Sequence, residues 1–496
     1  MSRSSNGRSV TPVGVLATGV AAPTFRLAVS EVRAAWGEGG GRGKVGVCGS
    51  DEDTLTLAWE ASVSAVGALR TSVGSDAGAE IDGLWWGTSR PPFADGPSHP
   101  FLATTLGIDT EAEGGLFSGS PHAGMEALLS AWDAIASGHV ESALVVVSDA
   151  QIPGMGTASE TTYGAGAAAF ILGPAEGAPA VLHSRASRSI PVLDRYRADG
   201  AFAAGDPYDP RLFREEVYLP LLSAAAKAVA GQKGDAGKGD AEGAVSVSAW
   251  SLSDPDGKLG ATLAKRLGTP EPLSAPVQAE LGDTGAASAL LGLVPALAEA
   301  GSFGATGYGG GRATAVAITV DHPVPGAEGA GARLAKGRNA GYVEAARARG
   351  VIQAMVDPVP MGLPPGGAAF VRGNVEMLGL EGAHCKVCGA ISTPPSVHPT
   401  CIGCGGDQLE VVALARSGSV HTFVVNQTMP PPFVAPLPML ILDLDDGARL
   451  MVQGTPDDAP SIEIDDRVNL VLRRYALERG VPVYGFKAVL EAKQAQ

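Results

Sequence analysis

Four of the five cysteines of this chain fall within twenty residues, as Cys385-Lys-Val-Cys388 and Cys401-Ile-Gly-Cys404. Two Cys-x-x-Cys knuckles separated by twelve residues converge on one ion, and four thiolates close a tetrahedral zinc shell with no position left for water. Gly389 and Gly405, directly after the second cysteine of each knuckle, permit the tight turn such a loop needs. The spacing predicts a zinc ribbon over residues 379–408, with a structural zinc held by Cys385, Cys388, Cys401 and Cys404. His384 and His398 are near enough to compete, but four sulfurs saturate the ion, so both are expected at the surface. Only Cys48 remains elsewhere, a usage that fits a reducing cytoplasm better than a disulfide framework.

The 496 residues of the whole chain suffice for about three domains. A net charge of −16 repels phosphate backbones and anionic membrane surfaces, which argues against nucleic acid and membrane as partners. Arg3 and Arg8 ahead of the uncharged stretch 10–25 imitate a secretion signal, yet Pro12, Gly14, Gly19 and Pro23 break its helix; the stretch reads as a first buried strand. From Val10 to about Val324 short apolar runs alternate with helical stretches, the pattern of a layered α/β domain. Strands are expected at 13–17, 83–87, 142–148, 167–172, 245–251 and 314–319, and helices at 54–69, 123–137 and 284–298. Residues 231–243 read as a surface loop, and 326–378 as a connector containing a helix near 342–355 and the proline-rich stretch 358–367. Five short strands at 409–414, 419–426, 439–444, 449–453 and 467–473 predict a small barrel over 409–496.

Several segments together resemble a known family. Ser50-Asp-Glu-Asp-Thr-Leu-Thr-Leu-Ala-Trp-Glu-Ala61, Trp86-Gly-Thr-Ser89, Gly124-Met-Glu-Ala-Leu128, Ala143-Leu-Val-Val-Val-Ser-Asp149, Gly282-Asp-Thr-Gly-Ala-Ala287 and Gly307-Tyr-Gly-Gly-Gly311 look, in order, like a hydroxymethylglutaryl-CoA synthase of the thiolase superfamily. The C-terminal part is similar to the zinc-ribbon and OB-fold proteins that accompany thiolases. The resemblance implies a five-layered αβαβα thiolase-like domain over residues 1–325, fused to that ribbon and an OB-type barrel. It also implies a cysteine nucleophile that takes an acyl group from CoA, a histidine that moves protons and donors that face an oxyanion.

Against that pattern this chain departs at each functional position. Pro121 falls at the cysteine, between Ser120 and His122; Tyr218 falls at the histidine, Asp283 at the asparagine, and Ser89 near the glutamate base. Cys48 lies too far upstream to substitute. The candidate catalytic residues are therefore Tyr218, Asp283, Ser120 and His122, in a degenerate site. Gly307–Gly311 lacks the Lys and Ser/Thr of a phosphate-binding loop, and Arg473 and Arg474 read as a solvated pair or as contacts for CoA phosphates. From Glu381 onward nine basic and thirteen acidic residues, 9 − 13 = −4, argue against a strand-binding groove in the barrel.

Two functions compete. In the first, the chain is a non-catalytic synthase-like subunit that supports a separate thiolase subunit acting on acyl-CoA, as a dimer or larger hetero-complex. In the second, it is a cysteine-independent retro-aldol lyase or acyltransferase that uses a CoA thioester as substrate.

Overall fold

The computed structural model describes residues 11–74, 81–205, 209–231, 245–352, 375–429, 433–478 and 481–491. Arg3, Arg8, nearly all of the loop expected at 231–243 and the stretch 358–367 lie outside the described residues. The chain divides into two compact units, one of residues 1–49, 53–99 and 108–353, the other of residues 50–52, 100–107 and 354–496.

The first unit is built on a mixed sheet of nine strands among the described residues, in the order Glu113–Phe117, Gly83–Gly87, Ala143–Ala150, Ala165–Pro174, Val13–Ala21, Ala180–Ser189, Arg312–Val320, Gly301–Gly309 and Ala249–Leu252. Its outer strands run parallel to their neighbours and its central ones antiparallel, so each half repeats one plan. The halves are joined by the short pairing of Val13–Val15 with Leu182–Ala180. Strands buried on both faces read as continuous small or apolar runs, and Ala165–Gly173 is buried at every position.

Two of the helices that cover this sheet do so as their periodicity requires. Thr54–Val73 begins at a capping box in which the Asp53 side chain accepts from the N–H groups of Leu55 and Thr56, and it ends at Gly74 in the left-handed region. Ala123–Ala136 buries Met125, Leu128, Ala131, Trp132 and Ile135 along one stripe. The third expected helix, 284–298, is instead three pieces: a 3-10 turn at Gly285–Ala287, an α-helical segment at Ser288–Leu293 and a second 3-10 stretch at Val294–Ala298. Pro295 removes a backbone donor, and Gly285 takes a φ of +56° to hand its neighbour's N–H to a carboxylate.

In the second unit Glu381–Cys385 is the middle of a three-stranded antiparallel sheet, between Ile391–Ser392 and Leu409–Ala413. The last of these was expected in the barrel. It follows the second knuckle directly, and converging the sulfurs lays it beside the strand that leads into the first, with Leu409 opposite Cys385. Among the described residues the barrel has five strands, in the order Arg449–Gln453, Leu437–Leu444, Ser417–Asn426, Arg467–Glu478 and Val481–Leu490. An isolated bridge between Gly454 and Ala488 joins its two edges, leaving it nearly closed. No helix among the described residues is long and apolar enough to cross a membrane.

Candidate active site and cysteine cluster

The helix Ala123–Ala136 enters from a tight turn at residues 119–123, in which Ala123 N–H donates to Ser120 O at 3.1 Å. Two glycines clamp this turn. A methyl group on Gly124 would stand 2.1 Å from Ala286 O, and one on Gly309 would stand 2.4 Å from the His122 nitrogen, so backbone approaches here that leave no room for a side chain. The turn presents Pro121 to two pockets at once. One is also lined by Ser89, Arg90, Ser120 and Gln151, the other by Asp194, Tyr218, Asp283 and Tyr308, and Arg195 is common to both.

Arg195 organises the region between the pockets. Its guanidinium donates to Asp283 Oδ2 at 2.8 Å and to Gln151 Oε1 at 2.7 Å, and it lies over the Tyr163 ring at 4.1 Å. Gln151 returns a bond to Asp283 O at 2.8 Å, while Asp283 Oδ1 accepts from Gly285 N–H at 3.0 Å. Burial works most strongly against the Arg195 charge, but the Asp283 carboxylate, its hydrogen bond and the Tyr163 and Tyr218 phenols together hold the group above its ordinary value. Beneath this web Asp149 is fully buried and accepts from Ala286 N–H at 2.9 Å and Ser89 Oγ–H at 2.5 Å. Burial raises its carboxyl above the usual carboxylate range in spite of those bonds.

Two phenols close the second pocket, the rings of Tyr218 and Tyr308 meeting edge-on with centroids 4.7 Å apart. Burial first, and the Asp194 carboxylate after it, push both hydroxyls well above the ordinary phenol value, so they stay protonated at neutral pH. Tyr308 Oη is buried with no hydrogen-bond partner among the described residues. At the rim Asp254, beside Ser253 and Pro255, is pushed up from 3.8 to about 7, by burial first and by Asp256 in part.

A carboxylate with a raised folded-state value contributes stability that is full below its unfolded value, near 4, and lost as the pH climbs through about 7. Asp254→Asn is therefore expected to flatten the fall in stability between pH 5 and pH 8, measured as urea midpoints across that range. A constant offset from the native protein at every pH would contradict it.

Of the sequence candidates, the structure gathers Ser120, Tyr218 and Asp283 around Pro121 and Arg195. The His122 imidazole is turned away. It is buried, with Nε2 hydrogen-bonded to Thr314 Oγ1 at 2.7 Å and Nδ1 3.3 Å from Glu126 Oε1 but off the hydrogen-bond direction; only its backbone N–H reaches Ser120 Oγ, at 3.2 Å. Gly307–Gly311 is a hairpin turn with Gly310 and Gly311 at positive φ. Cys48 is half-buried and lines neither pocket. Arg473 is not solvated: it is buried 3.6 Å from the Glu52 carboxylate, and Arg474 donates to Ser50 O at 2.7 Å.

The sulfurs of Cys385, Cys388, Cys401 and Cys404 all lie within 4.8 Å of one another. Cys385 and Cys401 are buried and the other two exposed, Gly389 and Gly405 sit at φ of +77° and +75°, and Gly403 N–H points at Cys401 Sγ at 3.3 Å. A soft four-sulfur set of this span matches the donor requirement of a closed zinc shell.

Comparison with known proteins bears on both units. Residues 411–473 match the C-terminal OB-fold domain of ChsH2. The hydroxymethylglutaryl-CoA synthase of Aeropyrum pernix is 29% identical over 299 residues, covering 57% of this chain and 77% of that protein. The synthase of Pyrococcus furiosus is 32% identical over 162 residues, covering 32% of this chain but only 45% of its own length. Among solved structures, MvaS in complex with 3-hydroxy-3-methylglutaryl coenzyme A superposes with a TM-score of 0.53 at 22% identity, over 71% of this chain and 95% of that one. FabH from Pseudomonas aeruginosa PAO1, a 3-oxoacyl-(acyl carrier protein) synthase III, gives a TM-score of 0.51 at 19% identity, over 63% and 99%.

Proposed function

From a chain that joins a hydroxymethylglutaryl-CoA synthase-like thiolase fold to a ChsH2-type C-terminal OB fold, we propose a subunit of an acyl-CoA carbon–carbon bond-forming or -cleaving complex that binds a CoA thioester but leaves the thiol chemistry to a separate thiolase. The observation that carries this reading is Pro121: it stands where the two pockets meet, on the turn that opens the helix Ala123–Ala136, and neither pocket contains a cysteine. A pyrrolidine ring has no atom to accept an acyl group, whereas buried donors around it remain to bind one. In this reading residues 379–408 form a ribbon in which Cys385, Cys388, Cys401 and Cys404 hold zinc structurally, and the chain works in the cytoplasm as a dimer or larger hetero-complex. The first test is intact-mass measurement after incubation with acetyl-CoA. No adduct is expected on the isolated chain, and an acyl group mapping to Ser120 would overturn the reading.

One observation favours a second reading, a cysteine-independent retro-aldol lyase. Tyr308 Oη is buried, unpartnered among the described residues and set against Tyr218 in a pocket that also holds Asp194. Phenols held protonated donate to a thioester carbonyl as it gains enolate charge. The base that takes the β-hydroxyl proton is then a carboxylate, with Asp194 better placed than Asp283, which Arg195 already pairs. Turnover that persists with the partner thiolase's cysteine removed, and stops in Tyr218→Phe, would select this reading over the first.

A further inference from the structure

Pro210–Phe213, Arg214–Tyr218 and Leu219–Val229 form one unbroken helical run, and its middle five residues are a π-turn: Leu219 N–H donates to Arg214 O, five residues back instead of four. Such a turn takes in one residue more than an α-turn and is rare. Two causes are visible. Pro220 has no N–H for the bond to Glu216 O that an α-helix would make, and its ring would press on that carbonyl. Phe213 is the other. In an α-helix the neighbours of Tyr218 on its own face are Arg214 and Glu215, four and three residues back, and the surplus residue puts Phe213 there as well. The Phe213 and Tyr218 ring centroids are 6.3 Å apart, and Phe213 packs on the apolar cluster that contains Tyr218, Leu222 and Tyr308. Glu215 is turned outward, 3.4 Å from Arg266, and Glu216 is exposed without a hydrogen bond or ion pair among the described residues. An α register would bury a carboxylate and expose a ring. The start of the run is fixed, since Asp209 accepts from the N–H groups of Arg211 and Leu212 and Arg214 Nε reaches Asp256 Oδ2 at 2.5 Å.

We infer that this π-turn is a positioning device for the pocket of Tyr218 and Tyr308. Its surplus residue lets the helix Leu219–Val229 keep its apolar stripe on the strands Arg312–Val320 and Ala180–Ser189 while Phe213 stays beneath the Tyr218 ring, which turns the phenol toward Tyr308. Phe213 and Pro220 are the positioning residues, and neither lines the pocket. Their role goes beyond the proposed function, since it holds whichever reaction uses the phenol.

Carbon-13 NMR of the full chain with tyrosine labelled at the phenol carbon reads the placement directly, the Tyr218 line being the one lost in Tyr218→Phe. At pH 10 an exposed phenol is about half ionised, whereas in the native chain burial and the Asp194 carboxylate keep Tyr218 protonated. Phe213→Ala combined with Pro220→Ala removes both obstacles to the α register, and Tyr218 is then expected to ionise at pH 10 as an exposed phenol does. Deletion of Glu216 takes out the surplus residue and leaves Phe213 four positions before the phenol. The chain should stay folded and Tyr218 protonated at pH 10. Adding that deletion to the double variant should restore the protonated line, a rescue that mere loss of packing would not show. A Tyr218 that stays protonated in the double variant would overturn the inference. So would a Glu216 deletion that unfolds the chain or ionises Tyr218, or a triple variant in which Tyr218 is still ionised. None of these measurements needs a thioester, so a chain that binds none would defeat the proposed function and leave the role of the π-turn as measured.

Discussion

Arg195→Met is expected to destabilise the first unit by about 3–5 kcal/mol, the usual cost of leaving one member of a buried ion pair without its partner. Asp283 would be the stranded charge: its side chain is 4% exposed, and nothing else with a positive charge bonds to it among the described residues. The loss can be read from urea unfolding at pH 7. Arg195→Met combined with Asp283→Asn should recover much of it, because the neutral amide can still accept from Gly285 N–H while no carboxylate remains to be desolvated. A single variant that loses less than about 1 kcal/mol would mean that water reaches the pair and that the web around Gln151 is not the rigid element described above.

Metal removal is the other change of large expected effect. Structural zinc in comparable four-ligand sites contributes roughly 10–16 kcal/mol at neutral pH, as much as a whole domain's net stability. The sheet it would hold is small: Leu409–Ala413 is largely exposed, and Ile391–Ser392 contributes two residues. We expect about one zinc per chain by elemental analysis, and protease cleavage within residues 381–413 after chelation while the first unit's thermal transition is unchanged. Cys388→Ser should behave as the chelated protein does. Cys388 is exposed, so the substitution opens no cavity and its effect reports on the ion. Purified protein without zinc that resists protease as well as the native chain would defeat this account of the four cysteines.

How far the amino-acid order discloses this architecture depends on the element. Thr54–Val73 and Ala123–Ala136 were legible within a few residues because an apolar stripe and a defined start coincide in each. The barrel strand Val481–Leu490 was not, since Pro482, Gly485 and Lys487 interrupt its alternation; Lys487 is nevertheless buried, its ammonium 3.0 Å from an Asp51 oxygen. Leu409–Ala413 was placed in the barrel because composition marks a strand without naming its partner. At the site, Ser120, Tyr218 and Asp283 emerged from aligned motifs, but Arg195, Asp194 and Arg197 lie in an irregular segment with no period to flag them. The signal available there was chemical: Asp194-Arg-Tyr-Arg197 puts three charged side chains in four positions. Asp149 offered another, a lone carboxylate at the end of an otherwise apolar buried strand.

The strand Val13–Ala21 pairs with Ala167–Pro174 along one side and with Ala180–Leu182 on the other. On the ribosome it therefore emerges long before either neighbour exists. At about 5–20 residues per second, roughly 7–30 s of synthesis separates the two events. For that interval a nascent chain carries a largely apolar ribbon, broken only by Thr18, with both backbone edges open to unwanted pairing, and the centre of the sheet is the last part of its own half to be completed.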